Sequence, residues 1–210
     1  MNEGADPGGD GDYLVLLGER PQSAAPPALP AGYRAEYWTP APLRLMPPGP
    51  RSYKQWLIGL AHLARVLGGR DYGAVILRHG TEVVHRSSVF PAYFAFPFMG
   101  AADVQVGGTW TSARHRGRGL ARAAIALALE RQPPGRRVWY VVERGNAPSL
   151  RVGLGAGLRV VARATRRARR WAPILGRYEV VSWLAAAPAR VLTPPGTPRA
   201  PASASRAHGP

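Results

Sequence analysis

The chain contains no cysteine, which excludes disulfide bonds, thiolate catalysis and zinc sites built on cysteine. Acidic residues are also scarce: 12 Asp and Glu stand against 28 Lys and Arg, for a net charge of +16. No run of about 18 apolar residues is present, so the sequence predicts no membrane-spanning helix. Residues 1–12 are acidic and glycine-rich and lack the basic and apolar parts of a secretion signal. These absences predict a cytoplasmic protein.

The positive charge is almost entirely arginine, since Lys54 is the only lysine. Together with 25 glycines and 22 prolines, this bias is typical of a GC-rich genome as much as of a function. A strongly basic surface would suit a polyanion. We nevertheless expect no nucleic-acid partner, because no recognised motif or evenly spaced basic helix accompanies the charge.

Composition divides the chain into three parts. Residues 1–31 read as a disordered linker region with one short strand at 13–17. Residues 32–186 contain the alternating and periodic apolar patterns of a single folded domain. Residues 187–210 are rich in proline and alanine and are predicted to be a disordered tail.

One stretch, residues 103–130, organises the rest of the domain. An apolar strand at Val104–Thr111 leads into a turn at 114–119 that is rich in arginine and glycine, and apolar residues then recur at helical spacing. Gly117 and Gly119 allow the backbone to approach a ligand closely. Because the first amides of a helix lack internal partners and lie at the positive end of its dipole, this turn is suited to an anion such as a phosphate.

Three interpretations of the turn compete. In the simplest one it is a helix start with solvated arginines. A dinucleotide-binding fingerprint needs a third glycine where this chain has Arg122, and the Gly-Lys-Ser/Thr ending of a P-loop is absent. The remaining pattern, Arg116-x-x-Gly119-x-Ala121, resembles the pyrophosphate-binding motif Q/R-x-x-G-x-G/A of the Gcn5-related N-acetyltransferases, the GNAT superfamily.

Two flanking features support this resemblance. Gly107-Gly108 inside the preceding strand predicts a bulge or a close approach of a ligand, and in this superfamily the corresponding strand splays from the next to admit the pantetheine arm. Downstream, Asn146, Ser149 and Gly157-Leu158 match an Asn-x-x-Ser/Ala helix followed by Gly-Phe, with leucine in place of phenylalanine. A helix tyrosine that is the general acid in many members corresponds to Gly153, so that role does not transfer.

The resemblance implies both a fold and an activity. The fold class is α/β (α+β), an acyl-CoA N-acyltransferase-like fold whose mixed, twisted sheet has a splayed central strand pair flanked by helices. The resemblance covers residues 32–184 loosely and 103–165 closely. The implied reaction transfers an acetyl group directly from acetyl-CoA, as co-substrate and without a metal ion, to a primary amine of a small molecule, such as an amino sugar or an anionic metabolite. The implied assembly is a monomer or a homodimer.

A second function remains open, namely a non-catalytic module of the same fold that binds nucleic acid or regulates a partner. For the enzyme, the resemblance also assigns residues. Backbone groups at the end of the splayed strand would hold the thioester, and amides of the turn would hold the pyrophosphate. One or more of Arg114, Arg116 and Arg122 would bind a phosphate. The residues implied to bind acetyl-CoA are Trp110, Thr111, Ser112, Arg114, Arg116, Gly117, Arg118, Gly119, Leu120, Ala121, Asn146 and Ser149.

The catalytic base is sought among titratable residues near the strand ends. Asp103 and Glu143 are the candidate catalytic residues, although each carboxylate is equally explained as a strand-end or surface residue. His85 and His115 have suitable intrinsic pKa values. We expect His115 to be exposed in the turn and His85 to be a hairpin residue.

Three further segments carry structural predictions. Residues 51–67 have the periodicity of an amphipathic helix with Ser52 as its N-cap. Residues 89–99 are dense in aromatics and form either core packing or the wall of an acceptor pocket, and two prolines argue against a regular central strand there. Residues 166–170 are predicted to be a basic turn.

Overall fold

The structure, a computed structural model, describes residues 12–20, 28–50, 53–64, 71–169 and 172–184. The C-terminal tail predicted from the sequence lies outside these residues, as do most of the N-terminal linker region and both ends of the helix predicted before the first hairpin. The predictions for those segments stay predictions.

Eight strands and three helices make up the described part of the chain. No helix among these residues is long and apolar enough to cross a membrane. The strands are β1 (Tyr13–Glu19), β2 (Tyr33–Trp38), β3 (Gly73–His79), β4 (Glu82–Pro91), β5 (Val104–Thr111), β6 (Arg137–Glu143), β7 (Arg159–Arg169) and β8 (Ala172–Trp183), and the helices are α1 (Tyr53–Leu63), α2 (Leu120–Glu130) and α3 (Ala147–Gly155).

All eight strands belong to one sheet, in the order β2-β3-β4-β5-β6-β1-β7-β8. β5 and β6 are parallel and every other neighbouring pair is antiparallel, so the sheet is mixed, as predicted. α2 is the crossover that a parallel pair requires, because a tight hairpin cannot connect parallel strands. The residues predicted to bind acetyl-CoA lie on and directly after this parallel pair.

β1 occupies a place in the sheet that the sequence did not predict. It lies between β6 and β7 and pairs with both of them antiparallel. Val15, Leu16 and Leu17 are at most 1% exposed, which suits a strand covered on both faces. The strand predicted at 13–17 is therefore present and longer, and it lies inside the sheet rather than in a linker that precedes a domain beginning at residue 32.

Alternation along the strands builds a core on each face of the sheet. Leu16 packs into the core beneath α2 and α3, whereas its neighbours Val15 and Leu17 point to the opposite core. In β6 the same alternation sends Tyr140 towards α3 and Trp139 to the other side. The sheet therefore has a separate hydrophobic core on each face.

The aromatic loop after β4 covers part of the second face. Phe96, Phe98 and Met99 are buried, and the ring centroids of Phe98 and Trp139 lie 5.2 Å apart. These contacts favour core packing over an acceptor pocket. The argument from proline against a regular strand in residues 89–99 needs correction at the start of this stretch, because β4 continues to Pro91. As the last strand residue, this proline interrupts no ladder.

β5 is bulged and leaves β6 after three residue pairs. Against β4, Trp110 lies opposite Arg86 and Gly107 opposite Ser88, so β5 contains one extra residue between these pairs. Gly108 adopts φ of 57°, the left-handed conformation that favours glycine. Parallel pairing with β6 ends at Val106, so the predicted bulge and the predicted splay coincide.

The predicted basic turn at 166–170 is wrong for the residues that the structure describes. Residues 166–169 continue β7, which pairs with β8 up to Arg169. Cross-strand contacts explain the extension: Arg167 Nε lies 2.8 Å from a carboxylate oxygen of Glu179, and the Arg166 guanidinium lies 5.9 Å from the centroid of the Tyr178 ring.

Candidate functional site

A cleft of about 1060 Å³ opens where β5 and β6 diverge. Its walls are the end of β5, the glycine turn, the start of α2 and the first turns of α3. The described residues that line it are Thr109, Trp110, Thr111, His115, Arg116, Gly117, Arg118, Gly119, Leu120, Ala121, Arg122, Tyr140, Asn146, Pro148, Ser149, Arg151 and Val152.

Ten of the twelve residues that the sequence implied for acetyl-CoA line this cleft. The exceptions are Ser112 and Arg114, which lie in the same turn but do not reach the lining. Residues from three separate elements therefore meet at one place, although what they bind remains a prediction.

The glycine turn presents free backbone amides to the cleft. Gly117 and Gly119 have φ of 76° and 75°, a conformation that strains other residues, and Gly119 is the N-cap of α2. The first hydrogen bond of the helix runs from the Ala123 amide to the Gly119 carbonyl, at 3.0 Å. The amides of Leu120 and Ala121 precede it and have no partner within the helix.

Charge in the cleft has one sign. Arg116, Arg118, Arg122 and Arg151 line it, and none of the described lining residues is acidic. The Arg116 side chain is positioned by a hydrogen bond from its Nε to the Thr111 carbonyl, at 3.3 Å. Cationic side chains around unpartnered helix amides suit a phosphate-bearing ligand.

His115 is buried, which corrects the prediction of an exposed turn residue. Its side chain is held from both ring nitrogens: Nδ1 lies 2.8 Å from the Tyr33 hydroxyl, and Nε2 lies 3.8 Å from a Glu82 carboxylate oxygen. Arg118 donates to the same Tyr33 oxygen at 3.2 Å. The network ties the glycine turn to β2 and β4, so His115 holds the turn in place through contacts that the sequence pattern did not reveal.

His85 links the side-chain hydroxyl groups of Thr111 and Thr109, two residues that line the cleft, and Ser87 is the intermediate on the Thr109 side. Its Nδ1 lies 2.7 Å from Thr111 Oγ1 and its Nε2 lies 2.9 Å from Ser87 Oγ, which is 3.2 Å from Thr109 Oγ1. The ring is fully buried. Burial, and secondly the charge of Arg86, lower the pKa of His85 from 6.5 to about 4, so the ring is neutral at physiological pH. A neutral ring fixes the orientation of the Thr111 hydroxyl.

We expect this buried ring to make the protein sensitive to acid. The unfolded chain binds a proton at His85 below about pH 6.5, whereas the folded protein keeps the ring neutral down to about pH 4. Between these values unfolding becomes easier as pH falls, by up to about 3 kcal/mol. Urea unfolding at pH 7, 6, 5 and 4.5 measures the loss. H85Q keeps a polar side chain that does not titrate, and it should lose correspondingly less stability; equal losses in both proteins would contradict the assignment.

Asp103 precedes β5, at the end of the strand away from the cleft, which argues against its predicted role as catalytic base. Its carboxylate accepts hydrogen bonds from the Gly100 amide at 2.8 Å, Arg137 Nε at 3.0 Å and Trp139 Nε1 at 2.8 Å. It is 4% exposed and does not line the cleft. The side chain therefore fastens the loop before β5 to β6. The side-chain partners Arg137 and Trp139 lie more than thirty residues away in sequence, so no local pattern indicated them.

Glu143 lies at the correct end of the sheet but outside the cleft lining. It is the last residue of β6, it is exposed, and it accepts a hydrogen bond of 3.4 Å from the Tyr13 hydroxyl.

Asn146, three residues after Glu143, caps α3 by accepting a hydrogen bond from the Ser149 amide at 3.1 Å, as the sequence predicted. The cap occupies the Asn146 oxygen and leaves its amide nitrogen to donate.

Tyr140 is a cleft residue that the sequence gave no reason to select. It lies on β6 and its ring packs against Gly153 of α3: a Cβ atom built on that glycine would lie 3.1 Å from ring atom Cδ1. Burial raises the pKa of Tyr140, and the nearby Ser149 hydroxyl offsets part of the rise, so the phenol is protonated at neutral pH. The Tyr140 phenol therefore lies in the cleft beside Gly153.

No protein-family model matches the chain, and no curated protein matches it by sequence. Sixteen chains of solved structures match its fold. A GCN5-related N-acetyltransferase from Sphaerobacter thermophilus is 20% identical with a TM-score of 0.51, over 74% of this chain and 50% of its own. A tandem GNAT protein from the clavulanic acid biosynthesis pathway is 20% identical (TM-score 0.48; 74% and 52%). A GCN5-related N-acetyltransferase from Kribbella flavida is 18% identical (TM-score 0.42; 74% and 58%).

The likeness to the Sphaerobacter protein confirms the predicted resemblance to the GNAT superfamily at the level of the fold. The chain spans 50–58% of the length of these three proteins. The 20% identity to the Sphaerobacter protein limits this likeness to the fold. The chemistry must therefore be argued from the site itself.

Proposed function

We propose that this chain is an acyl-CoA-dependent N-acyltransferase that passes an acetyl group directly from acetyl-CoA to a primary amine. The observation that carries the proposal is the cleft in the splay between β5 and β6, where unpartnered helix amides and four arginines meet with no acidic residue among the described lining. An extended ligand with phosphates at one end matches this combination. The GNAT-like fold agrees with it.

The pyrophosphate of acetyl-CoA binds at the glycine turn in this proposal. The amides of Leu120 and Ala121 donate to it, and Arg116 and Arg122 neutralise the charge. Beyond Val106 the edge of β5 is released from β6, so its backbone groups are free to pair with the amides of the pantetheine arm. This arrangement puts the thioester beside Thr109, Trp110 and Thr111.

Two groups handle charge and protons at the thioester. The Thr111 hydroxyl, oriented by neutral His85, faces the reacting carbonyl, where a positioned donor stabilises the developing oxyanion. The Tyr140 phenol then protonates the sulfur as the carbon–sulfur bond breaks and the carbon–nitrogen bond forms. The amine must arrive neutral, and Glu143, at the same end of the sheet, is the proposed acceptor of its proton. Asp103 has no part in the reaction.

The first expected result is stabilisation by acetyl-CoA. A ligand at a hundred times its dissociation constant adds about 2.7 kcal/mol to the free energy of unfolding, which corresponds to a melting temperature about 5–10 °C higher. S-acetylpantetheine, which lacks the pyrophosphate, is the matched control and should give a much smaller shift at equal concentration. Equal shifts from the two compounds, or none from either, would refute the cofactor assignment.

Transfer itself is tested by thiol release from acetyl-CoA against amino sugars, polyamines, amino acids and peptides. An amine-dependent signal, with the acetylated product identified by mass, supports the enzyme. Tight acetyl-CoA binding without turnover on any amine would instead favour the non-catalytic module. A nucleic-acid partner would be indicated by binding of DNA or RNA whose affinity falls steeply between low and moderate salt.

A further inference from the structure

A second polar cluster lies on the opposite face of the sheet, against the bulge of β5. Arg86 and Ser88 of β4 point to this face, because they alternate with His85 and Ser87, which face the cleft. Arg86 is 4% exposed and Ser88 is fully buried. Neither residue belongs to the cofactor cleft.

The cluster has hydrogen-bond donors without acceptors. Within the described part of the chain, Arg86 donates only to the carbonyls of Pro50 at 2.9 Å and Pro48 at 3.5 Å, and its buried Nε has no partner. The Ser88 hydroxyl is also buried without a partner. No carboxylate of the described residues forms an ion pair with Arg86. Buried groups in this state are costly, so a protein that retains them has a reason to do so.

Two amide side chains complete the cluster at the bulge. A Cβ atom built on Gly108 would lie 3.6 Å from Gln55 Nε2 and 3.7 Å from Ser88 Oγ. A Cβ atom on Gly107 would lie 3.0 Å from Gln105 Nε2. Gln55 and Gln105 are each 6% exposed, and neither side chain forms a hydrogen bond to another described residue. A hydroxyl and two amides therefore lie at the glycine pair that opens the sheet, and Arg86 lies on the same face, two residues before Ser88 on β4.

The position of the cluster connects it to the reacting end of the cleft. Arg86 lies opposite Trp110 in the β4–β5 ladder, and Trp110 lines the cleft. Gly49 covers both: a Cβ atom on it would lie 3.5 Å from Arg86 Nη1 and 3.7 Å from Trp110 Cζ3. Through Trp110, the cluster therefore adjoins the lining of the cleft.

We propose that Arg86, Ser88, Gln55 and Gln105 form a subsite for an anionic group of the acceptor, so that the amine substrate carries a carboxylate or a phosphate close to its amino group. That the bound amine is the acceptor rests on the proposed transfer reaction, but binding of the anion does not require turnover. Planar N–H pairs of a guanidinium suit both oxyanions, and the amide and hydroxyl donors satisfy their remaining lone pairs.

Three amines of one chain length test the subsite by binding. β-Alanine, phosphoethanolamine and ethanolamine share a two-carbon amine and differ in carrying a carboxylate, a phosphate or no anion. At 10 mM each, the anionic pair should raise the melting temperature of the wild-type protein and ethanolamine should not. Which of the two anions acts more strongly identifies the oxyanion. Equal effects of all three amines, or no effect of any, would overturn the proposal.

R86M is the informative variant, because methionine fills similar length without charge. The shift from the anionic amines should vanish, whereas the shift from acetyl-CoA should be retained, because Arg86 is outside the cleft. Without ligand, R86M should melt at the same temperature or higher, since an unpaired buried charge is removed. A markedly lower melting temperature would show that Arg86 serves the loop at Pro48 and Pro50, and that outcome also overturns the proposal.

Two further measurements keep the subsite separable from the cofactor assignment. S88A removes only a hydroxyl without a partner, so it should fold normally and weaken the anionic amines at least threefold. In thiol release, R86M should raise KM for the anionic acceptor at least tenfold while KM for acetyl-CoA stays unchanged. Failure of acetyl-CoA to bind the wild-type protein would refute the proposed function but leave the amine-binding test intact. A wild-type protein that prefers neutral acceptors refutes the subsite alone.

Discussion

G119V should abolish acetyl-CoA binding in a protein that remains folded. Gly119 is the N-cap of α2 with φ of 75°, and nothing but the tip of Arg122, at 4.0 Å, approaches the position of a Cβ atom on it. A valine there projects over the amides of Leu120 and Ala121, where the pyrophosphate is proposed to lie. Its branched side chain also strains a left-handed backbone by about 1–2 kcal/mol. We expect KM for acetyl-CoA to rise at least a hundredfold.

The matched control for this substitution is G135V. Gly135 has the same φ of 75°, with nothing within 4 Å of a Cβ atom, and it lies in the turn between α2 and β6, away from the cleft. Both variants carry a similar backbone strain, so denaturant unfolding should show similar losses of stability. Only G119V should lose the thermal shift with acetyl-CoA. Equal ligand shifts in the two variants would mean that the turn does not grip the cofactor.

The part of the site that could be predicted from sequence is local. The strand at Val104–Thr111, the glycine turn and the start of α2 follow from periodicity and from glycine positions within one stretch. The Asn146 cap follows from the same kind of rule, since its partner is three residues away. Backbone amides at a helix start need no distant side chain to place them, and for this reason ten of the twelve implied residues meet in the cleft.

The part that could not be predicted depends on contacts between distant segments. Asp103 looked free as a strand-end residue, but Arg137 and Trp139 occupy its carboxylate. β1 looked like an isolated strand in a linker, and its apolar run does not reveal that β6 and β7 bind it on both sides. In each case the sequence gives the residue type, but the partner is determined by how the strands pair in the sheet.

Gly153 shows how a departure from a familiar pattern is explained by packing. The position is buried, and a Cβ atom on it would lie 2.9 Å from Leu16 Cδ2 and 3.1 Å from Tyr140 Cδ1. A larger residue on α3 would therefore displace β1 or the Tyr140 ring. The glycine, the strand β1 and the phenol from β6 form one packed arrangement, which supports the proposal that Tyr140 is the acid.

Y140F should reduce kcat a hundredfold or more while the protein still binds acetyl-CoA. General acid catalysis contributes about 10²–10⁴-fold to a rate, and phenylalanine removes only the proton donor. The ring still packs against Gly153, so stability should change by no more than about 1 kcal/mol. Single-turnover thiol release with saturating acetyl-CoA measures the chemical step, and the thermal shift with acetyl-CoA checks that the cleft is intact.

The matched control for this acid is Y93F. Burial raises the pKa of Tyr93 to about 12, so its phenol is also protonated and sheltered, but it packs beside Phe96 on the other face and does not line the cleft. Y93F should keep the full kcat.

The pH dependence of kcat gives a second check on Y140F. In the wild-type protein kcat should fall at alkaline pH as the Tyr140 phenol ionises, and in Y140F this fall should be absent. Equal kcat values for Y140F and the wild-type protein would mean that solvent protonates the thiolate and that Tyr140 has only a packing role.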